Sequence, residues 1–217
     1  ILLHSNDSNE ELSSNKFIIN ADRETIVIPS RRYIMPEEII TLRISYNGTS
    51  RMKGVGLYES WTHREGSLSS SRSYISLLTN LEPARARQFF PCFDEPDKRA
   101  VFRLTIEHPQ HLNAYSNTPI KFSSTKNKRK TTQFEKTSPL PPYLVALAIT
   151  EQPIHTFEVD GYKIRAIGRN GSISVQRTSE ALEILRANRV FDNATFFPTK
   201  TGYFNYKHGH ILRYSYC

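Results

Sequence analysis

The sequence predicts a mostly β fold: an antiparallel, saddle-like β-sandwich domain with a short C-terminal helical segment. Three observations point there. Short β-branched runs bounded by turn residues recur through most of the 217 residues, one of them alternates strictly, and apolar side chains reach helical spacing only once, late in the chain.

The runs at 16–20 and 25–29 are short and β-branched, as brief strands require. In the run at 39–46, Ile40, Leu42, Ile44 and Tyr46 share one face and Thr41, Arg43 and Ser45 the other; Asn47-Gly48 then signals a turn. Residues 54–58 and 72–78 are further strand candidates, with a polar loop over 62–71. A short helix is expected over 83–90 with Pro83 near its start, followed by a rigid segment between Pro91 and Pro96.

Strands are expected to resume at 100–107, 112–116, 131–136, 143–150, 154–159 and 162–167. Asp160-Gly161 between the last two is a strong hairpin signal. The one long helix starts at Ser174 as N-cap, carries Thr178, Leu182, Leu185 and Arg189 at helical spacing, and ends near Phe191. Residues 199–217 are aromatic and basic with no clear period.

Hydrophobic residues make up 38% of the chain and charged residues 23%, which excludes a disordered or low-complexity protein. The longest clean apolar run, 143–149, falls far short of the roughly 20 residues of a membrane helix. The net charge of +8 would suit a polyanion, but the basic residues are scattered. Their densest group, Lys126, Lys128, Arg129 and Lys130, has no interleaved aromatics and is read as a solvated loop, so nucleic acid is not expected as a partner.

Two cysteines, Cys92 and Cys217, cannot build a disulfide framework, and Cys92 between Pro91 and Phe93 is expected to be a buried, inert thiol. The first residue is Ile1 and no signal peptide follows, so a processed product or fragment is expected. Asn-x-Ser/Thr sequons at Asn6, Asn47, Asn170 and Asn193 lean toward a secreted or luminal setting.

Chemistry-bearing motifs are scarce. None of the seven histidines is followed by Glu, so the zinc motif His-Glu-x-x-His is missing. His108 and His111 are separated by Pro109 in a β context, and His208-Gly209-His210 is not taken as a metal site. No phosphate-binding loop, nucleophile elbow or Cys-x-x-Cys occurs. Asp94 and Glu95, held between Phe93 and Pro96, are read as structural, with Arg87 as a partner for a salt link.

One segment stands apart. From Asn80-Leu81-Glu82-Pro83 through Ala86-Arg87 to Phe90-Pro91-Cys92-Phe93-Asp94-Glu95-Pro96, the chain resembles a signature of the aminopeptidase N family of zinc metallopeptidases. The resemblance continues at Phe102, Leu104-Thr105-Ile106, His108-Pro109, Ser116-Asn117, Phe134, Thr137, Tyr143-Leu144 and Ala146. Upstream it includes Ile44-Ser45-Tyr46 and Gly56-Leu57-Tyr58, and in all it covers roughly residues 12–198.

The resemblance implies an N-terminal saddle-shaped β domain over 1–170, the truncated start of a catalytic domain over 171–198 and a divergent tail over 199–217. It implies that this domain caps one end of an active-site cleft by packing on a catalytic domain absent from the chain. The family's zinc and exopeptidase motifs would lie in that domain. The chain itself would hold no zinc and no catalytic residue, and would be inactive alone; zinc would belong to the full-length parent. Peptides would be substrates of that parent, an extracellular or luminal ectodomain whose membrane anchoring is left open.

Two residues carry over from the family's Gln-x-Glu step: Glu82, whose counterpart holds the substrate's free α-amino group, and Asn80, one methylene shorter than the pocket-lining Gln. A carboxylate suits an ammonium group, in a charge-assisted hydrogen bond of roughly 1.5–3 kcal/mol. Glu82 could equally cap the short helix expected after Pro83. The alternative for the whole chain is a non-catalytic β-domain module that binds peptides or acidic surfaces.

Overall fold

The structure, a computed structural model, describes residues 1–7, 10–12, 16–50, 54–63, 73–152, 154–159, 162–167, 195–196, 203–207 and 210–214. It is mostly β and antiparallel, as predicted, and the chain divides into two compact units, Ile1–Thr49 and Ser50–Cys217. The helix expected over 174–191 lies outside the described residues.

In the first unit, β1 (Leu2–Ser5) pairs antiparallel with β2 (Glu10–Glu11) on one side and β5 (Ile40–Arg43) on the other. Between them, β3 (Ile18–Asn20) and β4 (Thr25–Val27) form a hairpin whose turn is held by the Arg23 N–H donating to Asn20 Oδ1 at 3.0 Å. Strand β1 was not expected from sequence. Leu3 and Leu12 are buried, and Ser5 donates to Glu38, whose carboxylate also meets the Arg32 guanidinium at 2.7 Å.

The second unit contains a four-stranded sheet in the order β6-β7-β12-β9: β6 (Gly56–His63), β7 (Ser73–Asn80), β12 (Leu147–Thr150) and β9 (Asn113–Ser116). A three-stranded sheet runs β10-β11-β8, from β10 (Ile120–Lys126), β11 (Arg129–Phe134) and β8 (Thr105–Pro109). One apolar layer joins them. Leu77, Ala114, Leu147 and Ile149 of the first sheet pack with Ile106 and Phe134 of the second, and full burial of a side chain such as Leu147, Ile149 or Phe134 is worth roughly 1.5–3 kcal/mol.

Strands β13 (Ile154–Val159) and β14 (Tyr162–Ile167) fall on their predicted limits and pair antiparallel, and β15 (Thr195–Phe196) adds parallel to β14. In the tail, β16 (Tyr203–Lys207) and β17 (His210–Tyr214) pair antiparallel; Tyr203, Phe204, Tyr206 and Ile211 supply strand-forming residues without a regular period.

Several boundaries differ from expectation for identifiable reasons. Over 100–104 the backbone is bonded outside any named strand: Ala100 and Leu140 exchange N–H bonds of 3.1 and 3.0 Å, and the Phe102 N–H reaches Thr137 Oγ1 at 2.9 Å. The strand expected from 143 begins only at Leu147, because Pro142 opens a 3₁₀ turn over Pro142–Leu144. The basic group at 126–130 is a hairpin end rather than an open loop. Asn127 and Lys128 both have positive φ (50° and 62°) between β10 and β11, as a type I′ turn requires.

Candidate functional site

The signature segment leaves β7 at Asn80 and crosses the unit as a wall fixed by packing. Leu81 and Ala86 are buried with Leu140, Leu144 and Val145, and Phe89, Phe90, Cys92 and Phe102 pack against that cluster. Phe90 stands edge-on to both Phe89 and Phe102, with ring centroids 5.5 and 5.9 Å apart.

The expected helix over 83–90 shrinks to a turn closed by the Arg85 N–H on the Leu81 carbonyl (2.7 Å) and a 3₁₀ turn at Ala86–Gln88. The cause lies in Arg87. A helix from Pro83 would send the Arg87 N–H to the Pro83 carbonyl, but Asp94 Oδ2 accepts it at 3.2 Å, along with Arg87 Nε at 2.9 Å. The structural reading of Asp94 therefore holds; Glu95 is exposed.

Glu82 sits half-buried in the turn between Leu81 and Pro83, joined to Pro83 by a cis peptide bond. The 3₁₀ turn begins four residues later and carries no acidic side chain in its first turn and no side-chain cap, so helix capping does not account for Glu82. Asn80 is buried at the end of β7, and its Nδ2 donates to the Gly54 carbonyl at 2.7 Å. The structure thus sets Asn80 and Glu82 at the mouth of one turn, with the Asn80 amide bound to the chain entering β6.

Sequence reasoning missed what steadies this turn. Gly54 and Gly56 both have positive φ (67° and 71°), and a Cβ on Gly56 would lie 2.9 Å from Gln88 Oε1. The Gly54-Val55-Gly56 spacing could have flagged it. Thr79 Oγ1 accepts the Leu147 N–H at 2.8 Å. Asn117 accepts the Ala146 N–H at 2.7 Å and donates to the Leu144 carbonyl at 2.8 Å, so two side chains clamp 144–147 behind the wall.

The remaining candidates are structural. The Cys92 thiol is half-buried; burial first, then the Asp94 charge, pushes it up to about 11 against a smaller opposing effect of Arg87, which makes it unreactive at neutral pH. His108 is buried, with Nδ1 3.0 Å from the Pro109 carbonyl and Nε2 3.0 Å from Thr132 Oγ1. The first contact requires the proton on Nδ1, leaving Nε2 to accept from Thr132. Burial lowers the tendency of this imidazole to ionise. It is a core histidine and does not meet His111 in a shared site. Among the described residues no three His, Cys, Asp or Glu side chains are grouped to hold a metal, so these residues do not fit a zinc centre. No helix among them is long and apolar enough to cross a membrane.

Antiparallel sheets and the packed segment that follows β7, bearing Glu82, define the fold as a β domain. The chain belongs to the M1 aminopeptidase family, whose Peptidase M1 N-terminal domain matches residues 1–144. It is similar to Aminopeptidase M1 of Arabidopsis thaliana, 30% identical over 159 residues, covering 73% of this chain and 17% of that protein. It is also similar to Glutamyl aminopeptidase of Homo sapiens (33% over 131 residues, 58% of this chain and 13% of that protein). Glutamyl aminopeptidase of Mus musculus is 34% identical over 161 residues, 72% of this chain and 16% of that protein. The matched part of the chain spans only 13–17% of the length of these curated relatives.

Proposed function

We propose that this domain forms one wall of the substrate cleft of a zinc-dependent aminopeptidase, with Glu82 receiving the free α-amino group of the peptide. The observation that carries the reading is the placement of Glu82. Its turn is held from both sides by the buried Leu81 and Ala86, inside the segment most like the family signature. A carboxylate positioned in advance loses little conformational entropy on meeting an ammonium group, and it discriminates against peptides with blocked amino termini. Asn80 contributes by fixing the adjoining Gly54 backbone and lining the first side-chain pocket.

The metal and the attacking water are assigned to a catalytic domain that begins within 171–198 and continues beyond this chain, against which the β domain packs. The whole protein would trim amino-terminal residues from peptides in an extracellular or luminal setting; the exposed sequon at Asn47 supports that location.

The test uses the polypeptide carrying this domain together with its catalytic domain. Glu82→Gln should raise KM for aminoacyl substrates by roughly 10- to 100-fold, the equivalent of a charge-assisted hydrogen bond, with a smaller change in kcat. An unchanged KM would remove Glu82 from the reading. The isolated 217-residue chain should release nothing from such substrates and bind no stoichiometric zinc. Chelator-sensitive turnover by the isolated chain would overturn the assignment of the metal.

A further inference from the structure

Residues 120–136 carry six cationic side chains against the single carboxylate of Glu135, a net +5 of the chain's +8. Two of these cations are paired: Arg129 with Glu107, and Lys121 with Glu135 at 3.9 Å. Lys126, Lys128 and Lys130 have no ion pair among the described residues and cluster around the Asn127-Lys128 turn.

The strand leading to this turn is open on its other side. β10 pairs only with β11 among the described residues, and all seven of its residues are exposed. A register shift lies between Ile120 and Phe122, after which pairing runs without interruption from Phe122 opposite Gln133 to Lys126 opposite Arg129. Over that stretch every second residue turns its N–H and C=O away from β11. Phe122, 57% exposed, shares a face with Ser124 and Lys126.

We propose that β10 is a docking edge for an extended acidic peptide segment, which adds to the sheet as a further antiparallel strand. Backbone hydrogen bonds along 122–126 would hold it, Phe122 would cover its apolar side chains, and its carboxylates would meet Lys126 and Lys128. Charge selects this occupant. Two copies of β10 side by side would set like charge against like, the device by which edge strands avoid self-pairing, whereas a strand of opposite sign meets no such barrier. The proposal is independent of the peptidase reading.

The test is fluorescence anisotropy of the full chain with a labelled peptide of alternating Val and Glu. Binding should weaken by roughly tenfold or more between low salt and about 0.15 M salt. Two controls separate strand addition from attraction of any polyanion: the same peptide N-methylated at every amide, and heparin as competitor. The proposal requires that the N-methylated peptide bind at least about tenfold more weakly. It also requires that K126E/K128E abolish binding while leaving the circular dichroism spectrum unchanged. No binding by the unmodified peptide, equal binding by the N-methylated one, or indifference to K126E/K128E would each overturn it. Displacement by heparin at equal charge concentration would mark the site as a general polyanion patch and overturn it too.

Discussion

Arg87 and Asp94 close the signature segment on itself. The Asp94 side chain is only 2% exposed, and its Oδ2 accepts both the backbone N–H and Nε of Arg87, while Arg87 Nη2 approaches the Asp94 carbonyl at 3.4 Å. The second carboxylate oxygen, Oδ1, is buried without a hydrogen bond among the described residues. The pair therefore matters less for its own attraction than for what remains if one member is lost.

Arg87→Ala should accordingly destabilise the chain by about 2–4 kcal/mol, since it strands a buried charge whose partner guanidinium is itself partly solvated. The corresponding fall in Tm is about 2–4 °C per kcal/mol for a chain of this size, readable in a thermal melt. A shift under about 1 °C would mean the segment is held by its apolar packing alone.

Gly56→Ala should be costly and Gly48→Ala neutral. At Gly56 the backbone has φ +71°, and an added Cβ would lie 2.9 Å from Gln88 Oε1 and 3.1 Å from Gln88 Cβ. The expected loss is about 1–3 kcal/mol, part of it recovered when Gln88→Ala is combined with it. Nothing lies within 4 Å of a Cβ at Gly48, so that change should stay within about 0.5 kcal/mol. Urea midpoints for these three variants, and for Gln88→Ala alone as the reference, decide it.

Acid should weaken the first unit through Glu38. The Arg32 guanidinium first, then the Ser5 hydroxyl and the Met35 N–H, hold its carboxyl at about 2, against an ordinary 4.5. With the folded value depressed, the unfolded chain takes up the proton first. The contribution is then fully present above about 4.5 and is lost as pH falls toward about 2. Urea midpoints against pH should slope downward over that window, and Glu38→Gln should flatten this part of the slope while lowering stability at neutral pH. A parallel slope in the variant would exclude Glu38 as its source.

The parts of the fold that sequence revealed are those where one face is buried or the turn chemistry is explicit. The β13–β14 hairpin falls on its predicted limits because Asp160-Gly161 separates two β-branched runs. Strand β10 was invisible because both of its faces are wet: Lys, Ser and Thr hold five of its seven positions, and the alternation begun by Ile120 and Phe122, both exposed, stops there. The helix expected over 83–90 failed because Asp94 intercepts the Arg87 N–H, a tertiary event seven residues away that local propensity cannot register. At the wall itself, Glu82 and Asn80 were reached only through the resemblance to the family signature. The bonds that orient them, from Asn80 to Gly54 and from Asn117 to 144–146, join positions 26 or more residues apart, beyond any local pattern.

The isolated chain should self-associate through its first unit. In the β3–β4 hairpin, Ile18 pairs with Val27 and Ile19 with Ile26, so both faces of a two-stranded ribbon are apolar, yet all four side chains are exposed. Ile19 is 66% exposed, and Met35 (64%) and Tyr33 (94%) add to the same unit. A hairpin that covers neither face is marginal in water, and apolar surface of this extent is normally occupied by a neighbour. At micromolar concentration the available neighbour is another copy. Sedimentation velocity should show a weight-average mass that rises with concentration and is insensitive to salt, because the contact is apolar. Replacing Ile19 and Met35 by Lys should return the chain to monomer without loss of β signal, since neither side chain contributes to a buried core. A wild-type chain that stays monomeric throughout would mean the hairpin is stable in water with both faces bare.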